Sequence, residues 1–147
     1  WVTLPGCRLA FHTIGQDGSG KCDLRVTGEH GDAAHAALYE LAEAEKPALD
    51  AAEGPPYRIE TWEVELGGEA YSAFVYLARA EAVDPRRQPF AWYREVVGEG
   101  ARYLGFPDPY VAAIDGVSSR EDPDAARRRR HRELLRRMAE RRGAEAG

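Results

Sequence analysis

Residues 15–22, GQDGSGKC, come within one residue of a phosphate-binding P-loop, whose pattern is G-x-x-x-x-G-K-[ST]. The last position holds Cys22, and a thiol is a poor ligand for the Mg²⁺ that accompanies nucleotide phosphates. The flanking segments CRLAFHTI and CDLRVTG both read as short strands. A P-loop must be followed by a helix, whereas two strands around a Gly- and Asp-rich turn form a β-hairpin. The sequence therefore predicts a hairpin and argues against a nucleotide site.

Length and composition narrow the class of protein. A chain of 147 residues with 44% hydrophobic and 31% charged residues fits one globular domain. No apolar run approaches a membrane span and no signal peptide is visible, so we expect a cytoplasmic protein without a membrane partner. Cys7 and Cys22 form no C-x-x-C pair, and the four histidines share no metal-ligand spacing. We expect free thiols and no metal.

The residues after the hairpin predict a strand and then a short helix. AHAALYELA has the composition of a buried strand that ends near Leu41. EKPALDAAEG predicts a helix, because Pro47 suits its first turn and Gly54 suits the position just past its end. The Pro-Pro pair that follows enforces an extended exit.

The next segments predict two strands and then two helices. YRIETWEVEL shifts its apolar phase between Ile59 and Trp62, which suggests a bulge, and YSAFVYLA is apolar on both faces. The helices fall in PFAWYREVVGEGARYLGFP and DPYVAAIDGV. This order predicts an α+β fold, with the sheet curled into a small mixed β-barrel with flanking helices.

Charge divides the chain unevenly. Residues 125–147 hold nine arginines against three glutamates, whereas residues 1–124 hold 11 Lys and Arg against 22 acidic residues. We therefore expect a domain over 1–123 and an Arg-rich helical tail over 124–147. We favour a solvated terminal helix, and leave open an anionic partner such as RNA bound through residues 127–142.

Catalysis in a chain poor in cysteine and histidine falls most easily to carboxylates. Glu53 ends an apolar helical turn immediately before the Gly-Pro-Pro break, where rigid backbone can hold a carboxylate in a pocket. Burial there would raise its pKa towards neutrality, as a general acid or base requires. The alternative is a solvent-facing residue near a helix end, and the residues alone favour that alternative.

A resemblance changes this balance. Four blocks occur in order over nearly the whole of residues 4–114: LPGCRLAFHTIGQDGSGKCDL, ALYELAEAEKPALDAAEGPPY, AFVYLA and WYREVVGEGARYLGFPDPYVAAI. The most specific element is LDxxEG followed by a tyrosine. These blocks resemble, in the same order, those of the γ-glutamylcyclotransferase-like family.

The resemblance implies an activity and site residues. Many enzymes of this family release 5-oxoproline from γ-glutamyl compounds with no metal or organic cofactor. Their catalytic glutamate corresponds to Glu53, and two substrate-contacting tyrosines correspond to Tyr93 and Tyr76, while Tyr57 is assigned a structural role. The family's N-terminal YGSN-type loop, which holds the substrate carboxylate, is expected just before Trp1.

The sequence thus predicts a γ-glutamyl cyclotransferase that acts on a small-molecule γ-glutamyl amino acid or amine. Its alternative is a non-catalytic binding homologue of the same fold, whose Arg-rich tail contacts an anionic partner.

Overall fold

The computed structural model of the protein describes residues 1–145 and contains two compact units, Trp1–Arg87 and the residues from Gln88 onward. In the described part of the chain, six strands and one α-helix belong to the first unit, and three α-helices belong to the second. The strands are β1 (Val2–Pro5), β2 (Cys7–Ile14), β3 (Gly20–Val26), β4 (Ala33–Ala36), β5 (Tyr57–Leu66) and β6 (Glu69–Ala78). The helices are α1 (Lys46–Glu53), α2 (Ala91–Tyr103), α3 (Asp108–Asp115) and α4 (Ala125–Glu145).

The six strands pair as three antiparallel ribbons, β1 with β4, β2 with β3, and β5 with β6. The ribbons meet where β3 lies near β6, β1 near β5, and β2 near β4. Alternate side chains of a strand point to one side, and those that point inwards form an apolar core. Its buried members are Val2, Leu4, Cys7, Ala34 and Val64. The predicted α+β class is confirmed, since residues 1–145 form small antiparallel sheets and four α-helices.

The predicted hairpin is present as β2 and β3, and Asp17 holds its turn. The Gly15 N–H donates to the Ser19 carbonyl at 2.9 Å. The Asp17 carboxylate accepts from the Ser19 hydroxyl at 2.7 Å and from the Lys21 ammonium at 2.8 Å. The lysine that a P-loop would direct at phosphate is therefore ion-paired, and a strand follows it instead of a helix.

The strand expected to end near Leu41 is shorter, and that part of the prediction is wrong. Its ladder with β1 runs from the pair Pro5–Ala33 to the pair Val2–Ala36. Beyond this point the chain has no partner strand to accept its backbone hydrogen bonds, and residues 37–42 adopt no regular structure.

The bulge expected in β5 is also absent. Every residue of β5 has its own partner in β6, with no shift between Ile59 and Trp62. The alternation of apolar residues along β5 does not mark its buried side, because much of this ribbon is open to solvent, with Ile59 45% exposed and Leu66 38% exposed. The shift in register lies instead in β2, between Ala10 and Thr13.

In the second unit, the buried side chain of Asp122 connects α2 to the start of α4. Its carboxylate accepts from the Trp92 indole N–H at 2.8 Å, from Arg127 Nη2 at 2.7 Å and from the Asp124 backbone N–H at 2.9 Å. Asp122 is only 1% exposed, so these donors replace the water that its charge has lost. The boundary expected between residues 123 and 124 falls inside this unit.

Helix α4 packs along α2 and begins with the predicted Asp cap, since Asp124 Oδ1 accepts the Arg127 N–H at 2.9 Å. The His131 ring stacks on the Trp92 ring with 3.5 Å between centroids. Leu134, one turn further along α4, is 42% exposed. No helix within residues 1–145 is long and apolar enough to cross a membrane.

Candidate active site

One face of α1 carries three charged side chains in line. Lys46, Asp50 and Glu53 are spaced four and three residues apart, which places them above one another on a helix. Pro47 lies in the first turn and Gly54 follows the last residue, as the sequence predicts. Gly54 has φ +75°, a left-handed conformation that favours glycine, and its N–H donates to the Asp50 carbonyl at 3.0 Å. The helix therefore stops directly after Glu53.

Arg79 fixes the chain where it leaves α1. The Arg79 backbone N–H donates to the Pro56 carbonyl at 2.8 Å. Its guanidinium Nε lies 3.2 Å from the carbonyl oxygens of both Pro55 and Tyr57. The Gly-Pro-Pro exit is thus tied to the end of β6, and this tie limits how far the end of α1 can move.

The Glu53 carboxylate is half-buried, and within residues 1–145 it has no hydrogen-bond or ion-pair partner. Burial raises the pKa of Glu53 above its ordinary value. Its charge helps to raise the pKa of two tyrosines, Tyr57 and Tyr76, so these phenols share its surroundings. A half-buried, unpaired carboxyl group of raised pKa has the properties of a general acid or base.

Tyr76 reaches the same face of α1 from strand β6. Its hydroxyl donates to Asp50 Oδ1 at 2.5 Å, and Lys46 Nζ lies 2.9 Å from both oxygens of that carboxylate. Partial burial, the bond to Asp50 and the charges of Asp50 and Glu53 raise the pKa of Tyr76 to about 12. Phe74, two residues earlier on β6, packs edge-on against Tyr76 and lies 4.9 Å below the Lys46 ammonium.

Tyr57 lies on the other side of the Gly-Pro-Pro break. Its hydroxyl donates to the Cys22 carbonyl of β3 at 2.8 Å, and burial is the main cause that raises its pKa to about 12. This bond ties the start of β5 to β3, which suits the structural role predicted from the sequence.

The sequence matches the model of the gamma-glutamyl cyclotransferase, AIG2-like family over residues 3–95. The chain belongs to this family. The matched residues include all three predicted site residues, Glu53, Tyr76 and Tyr93. No curated protein matches the chain.

Two solved structures share the fold of this family member. One is titled gamma-glutamyl cyclotransferase, with a TM-score of 0.77 and 15% identity over 92% of this chain and 82% of that chain. The other is a crystal structure of an uncharacterized protein from Homo sapiens, with a TM-score of 0.76 and 16% identity over the same shares. At such low identity, the likeness establishes the fold alone.

The structure brings together two of the three predicted site residues of this family member. Glu53 and Tyr76 lie in the first unit and interact electrostatically. Tyr93 lies on α2 in the second unit, where its ring packs edge-on against Trp92 with centroids 5.8 Å apart. A substrate contact by Tyr93 stays a prediction.

Sequence reasoning missed Asp50 and Lys46 as members of this cluster. The available signal was their spacing from Glu53, because residues three, four and seven apart share one helix face. The spacing shows that the three residues share one face of α1, but it does not show that Tyr76 of β6 lies against that face.

Proposed function

We propose that the protein is a γ-glutamyl cyclotransferase that converts a γ-glutamyl amino acid or amine into 5-oxoproline and the free amine. Glu53 takes a proton from the α-ammonium group of the substrate. The freed nitrogen attacks the γ-carbonyl carbon and forms the C–N bond of the five-membered lactam. The amide bond to the leaving amine then breaks, and that amine takes the proton from Glu53. The ring nitrogen loses a second proton as it becomes the lactam N–H, and Glu53 passes this proton on as well, so that the amine leaves as an ammonium ion.

The observation that carries this proposal is the half-buried Glu53 carboxylate without a partner. A carboxylate held in an ion pair would give up basicity, whereas one with a raised pKa can accept and return a proton. The reaction is intramolecular, so orientation of the substrate supplies much of the barrier reduction, and one positioned carboxylate is enough. The family membership favours the same chemistry.

The test is to incubate the full-length protein with a panel of γ-glutamyl amino acids and γ-glutamyl amines and to assay 5-oxoproline. We expect release from at least one member, together with its free amine in equal amount. Absence of 5-oxoproline from every member would contradict the proposal.

The pH profile of kcat/KM should report the ionisation of the Glu53 carboxyl group. Its carboxyl group must be ionised to act as a base, so the rate should rise with pH through its pKa in the free enzyme. Tyr57 of β5 and Tyr76 of β6 interact with its charge, and Asp50 and Lys46 share its face of α1. Burial raises this pKa, so the acid limb should have its midpoint above the ordinary value for glutamate. Initial rates from about pH 4 to about pH 9 measure it; a midpoint at or below the ordinary value would contradict the assignment.

A second candidate function is binding of RNA through α4, and one observation favours it. Arg129, Arg130 and Arg132 are exposed, and within residues 1–145 they have no ion pair or side-chain hydrogen bond. By contrast, Arg127 is bound to Asp122. Unpaired guanidinium groups on one exposed helix can bind phosphate oxygens. The low hydropathy of this helix favours a polyanion over a lipid surface, since it offers little apolar area for insertion.

Replacing Arg129, Arg130 and Arg132 together by Gln should weaken binding to a short single-stranded RNA. Each phosphate contact contributes about 0.7 to the slope of log K against log salt, so the slope should fall by about 2. Filter binding at several salt concentrations measures this, and release of 5-oxoproline should be unchanged.

A control removes three positive charges from the first unit by replacing Arg8, Arg25 and Arg86 with Gln. Equal losses in both triple variants would show that net charge alone acts and would reject a site on α4. Absence of salt-sensitive RNA binding in the wild type would also reject it.

A further inference from the structure

The hydrogen bond between Tyr76 and Asp50 fixes the polarity of the Tyr76 hydroxyl. A phenol has one proton to donate, and here it goes to Asp50 Oδ1. Asp50 is held as an acceptor, because hydrogen bonds from Lys46 and Tyr76 lower the pKa of its carboxyl group. The Tyr76 oxygen therefore keeps its lone pairs for a donor supplied by the substrate, and it has no proton left to offer an acceptor.

The charges around this oxygen select a cation. Two carboxylates, Asp50 and Glu53, lie on the same helix face within one turn, and one ammonium, Lys46, balances only one of them. Lys46 lies on the far side of Asp50 from Glu53 along α1. The end of the face near Glu53 is therefore negative, and it also presents the acceptor oxygen of Tyr76.

The substrate of the proposed reaction carries a matching group. Its reacting nitrogen arrives as an α-ammonium with three N–H donors, and it must lie within hydrogen-bond reach of Glu53 to lose a proton. An ammonium between Glu53 and Tyr76 can donate to both oxygens at once.

We propose that Asp50 is a positioning residue: it holds the Tyr76 hydroxyl so that the phenol oxygen receives the substrate's α-ammonium beside Glu53. This inference rests on the proposed cyclotransferase function. Tyr76 contacts the substrate, whereas Asp50 acts through Tyr76. This contact between the α-ammonium and the Tyr76 oxygen also defines the substrate class, since compounds whose α-amino group is absent or acylated lose it.

The competing explanation is that the Asp50–Tyr76 bond only attaches α1 to β6. Two probes separate the explanations: a γ-glutamyl amide substrate, and the matching monoamide of glutaric acid, which lacks only the amino group. A loss of attachment would weaken binding of both probes. Loss of an ammonium acceptor weakens binding of the substrate alone.

The experiment measures KM for the substrate and the inhibition constant of the glutaric monoamide in Asp50→Ala, Asp50→Asn and Tyr76→Phe. A hydrogen bond that involves a charged group predicts a rise in KM of about tenfold to a hundredfold, with the inhibition constant within about twofold of wild type. Asp50→Ala combined with Tyr76→Phe should raise KM little more than Tyr76→Phe alone, because the two substitutions remove the same interaction with the substrate. If Asp50→Ala does not fold, Tyr76→Phe still tests the acceptor, since it leaves the Lys46–Asp50 pair intact.

A second tyrosine–carboxylate bond on the same strand provides the matched control. Tyr71 donates to Glu69 at 3.1 Å near the turn of the β5–β6 ribbon, on the exposed surface. Tyr71→Phe and Glu69→Gln should change neither constant.

Three outcomes decide the matter. A selective rise in KM supports the inference. A parallel rise in both constants, or no change in either, overturns it while leaving the cyclotransferase function intact. A wild-type protein that releases no 5-oxoproline from the panel overturns the function, and this inference with it.

Discussion

Replacing Glu53 by Gln should lower the turnover of a γ-glutamyl substrate by about a hundredfold or more, the scale of a general acid–base contribution. The amide has nearly the same shape as the carboxyl group, but it cannot take the proton from the α-ammonium. Binding should suffer less than turnover, because the Tyr76 oxygen remains in place. A rapid assay of 5-oxoproline at saturating substrate measures the change.

The same substitution should leave the fold as stable as before or more stable. Burial raises the pKa of Glu53, so the folded protein binds this proton more tightly than the unfolded chain does. The stability gained from that proton is complete below the unfolded pKa and is lost as pH rises through the folded pKa. At neutral pH the ionised group therefore opposes folding, and Gln removes that charge. Thermal unfolding should show an unchanged or higher Tm, in line with a site in which function costs stability.

Glu65→Gln is the control for this substitution. Glu65 is exposed on β5 and has no side-chain partner within residues 1–145, so its loss should change neither turnover nor Tm. If Glu53→Gln keeps most of its turnover, Glu53 has no part in proton transfer.

Local signals predicted the element that carries Glu53. Pro47 and Gly54 mark the two ends of α1, because each is suited to one terminus of a helix by its own backbone geometry. The hairpin of β2 and β3 was likewise predictable from the strand on each side of its turn. In both cases the cause lies within about ten residues of chain, where periodicity and turn chemistry act.

The partnership of α1 with β6 could not be predicted from local signals. Asp50 and Tyr76 are 26 positions apart, and their hydrogen bond depends on how a helix packs against a strand. No periodicity connects elements of different geometry. The prediction that a strand reaches Leu41 was wrong for the same reason, since the length of that strand depends on where its partner strand ends.

The charge of the C-terminal segment was visible in the sequence, but its attachment was not. The pattern of arginines predicted a solvated helix, and Arg129 and Arg130 are indeed exposed. One side chain that joins this helix to α2 is a buried aspartate just before it, Asp122, which composition does not distinguish from its neighbours. Removing residues 124–147 would leave that carboxylate buried without Arg127, so substitutions on the exposed face test α4 more cleanly than a truncation.

Asp122→Ala should lower the free energy of unfolding of the second unit by about 3 kcal/mol, at the lower end of the range for breaking a buried ion pair. The lower end applies because the Arg127 side chain stays 25% exposed and can regain water, and its guanidinium lies 5.3 Å from the Phe90 ring centroid. The Trp92 indole N–H also loses its acceptor. Denaturant unfolding followed by helical circular dichroism measures the change. Asp115→Ala is the matched control, because Asp115 pairs with Arg102 at the surface. Its loss should lower the free energy of unfolding by at most about 1 kcal/mol.

The stability that Asp122 contributes should stay constant from neutral pH down to about pH 4 and decline only in stronger acid. Hydrogen bonds from Arg127 are the main cause that holds the pKa of Asp122 far below its ordinary value. A group whose pKa is lowered by folding contributes its full stability above the unfolded pKa, about 3.9 for Asp, and loses it as pH falls through the folded value. The difference between wild type and Asp122→Ala should therefore be flat across the neutral range and shrink below about pH 4. If Asp122→Ala costs no more than Asp115→Ala, or its cost already declines near neutral pH, the ionised Asp122 carboxylate is not what attaches α4 to α2.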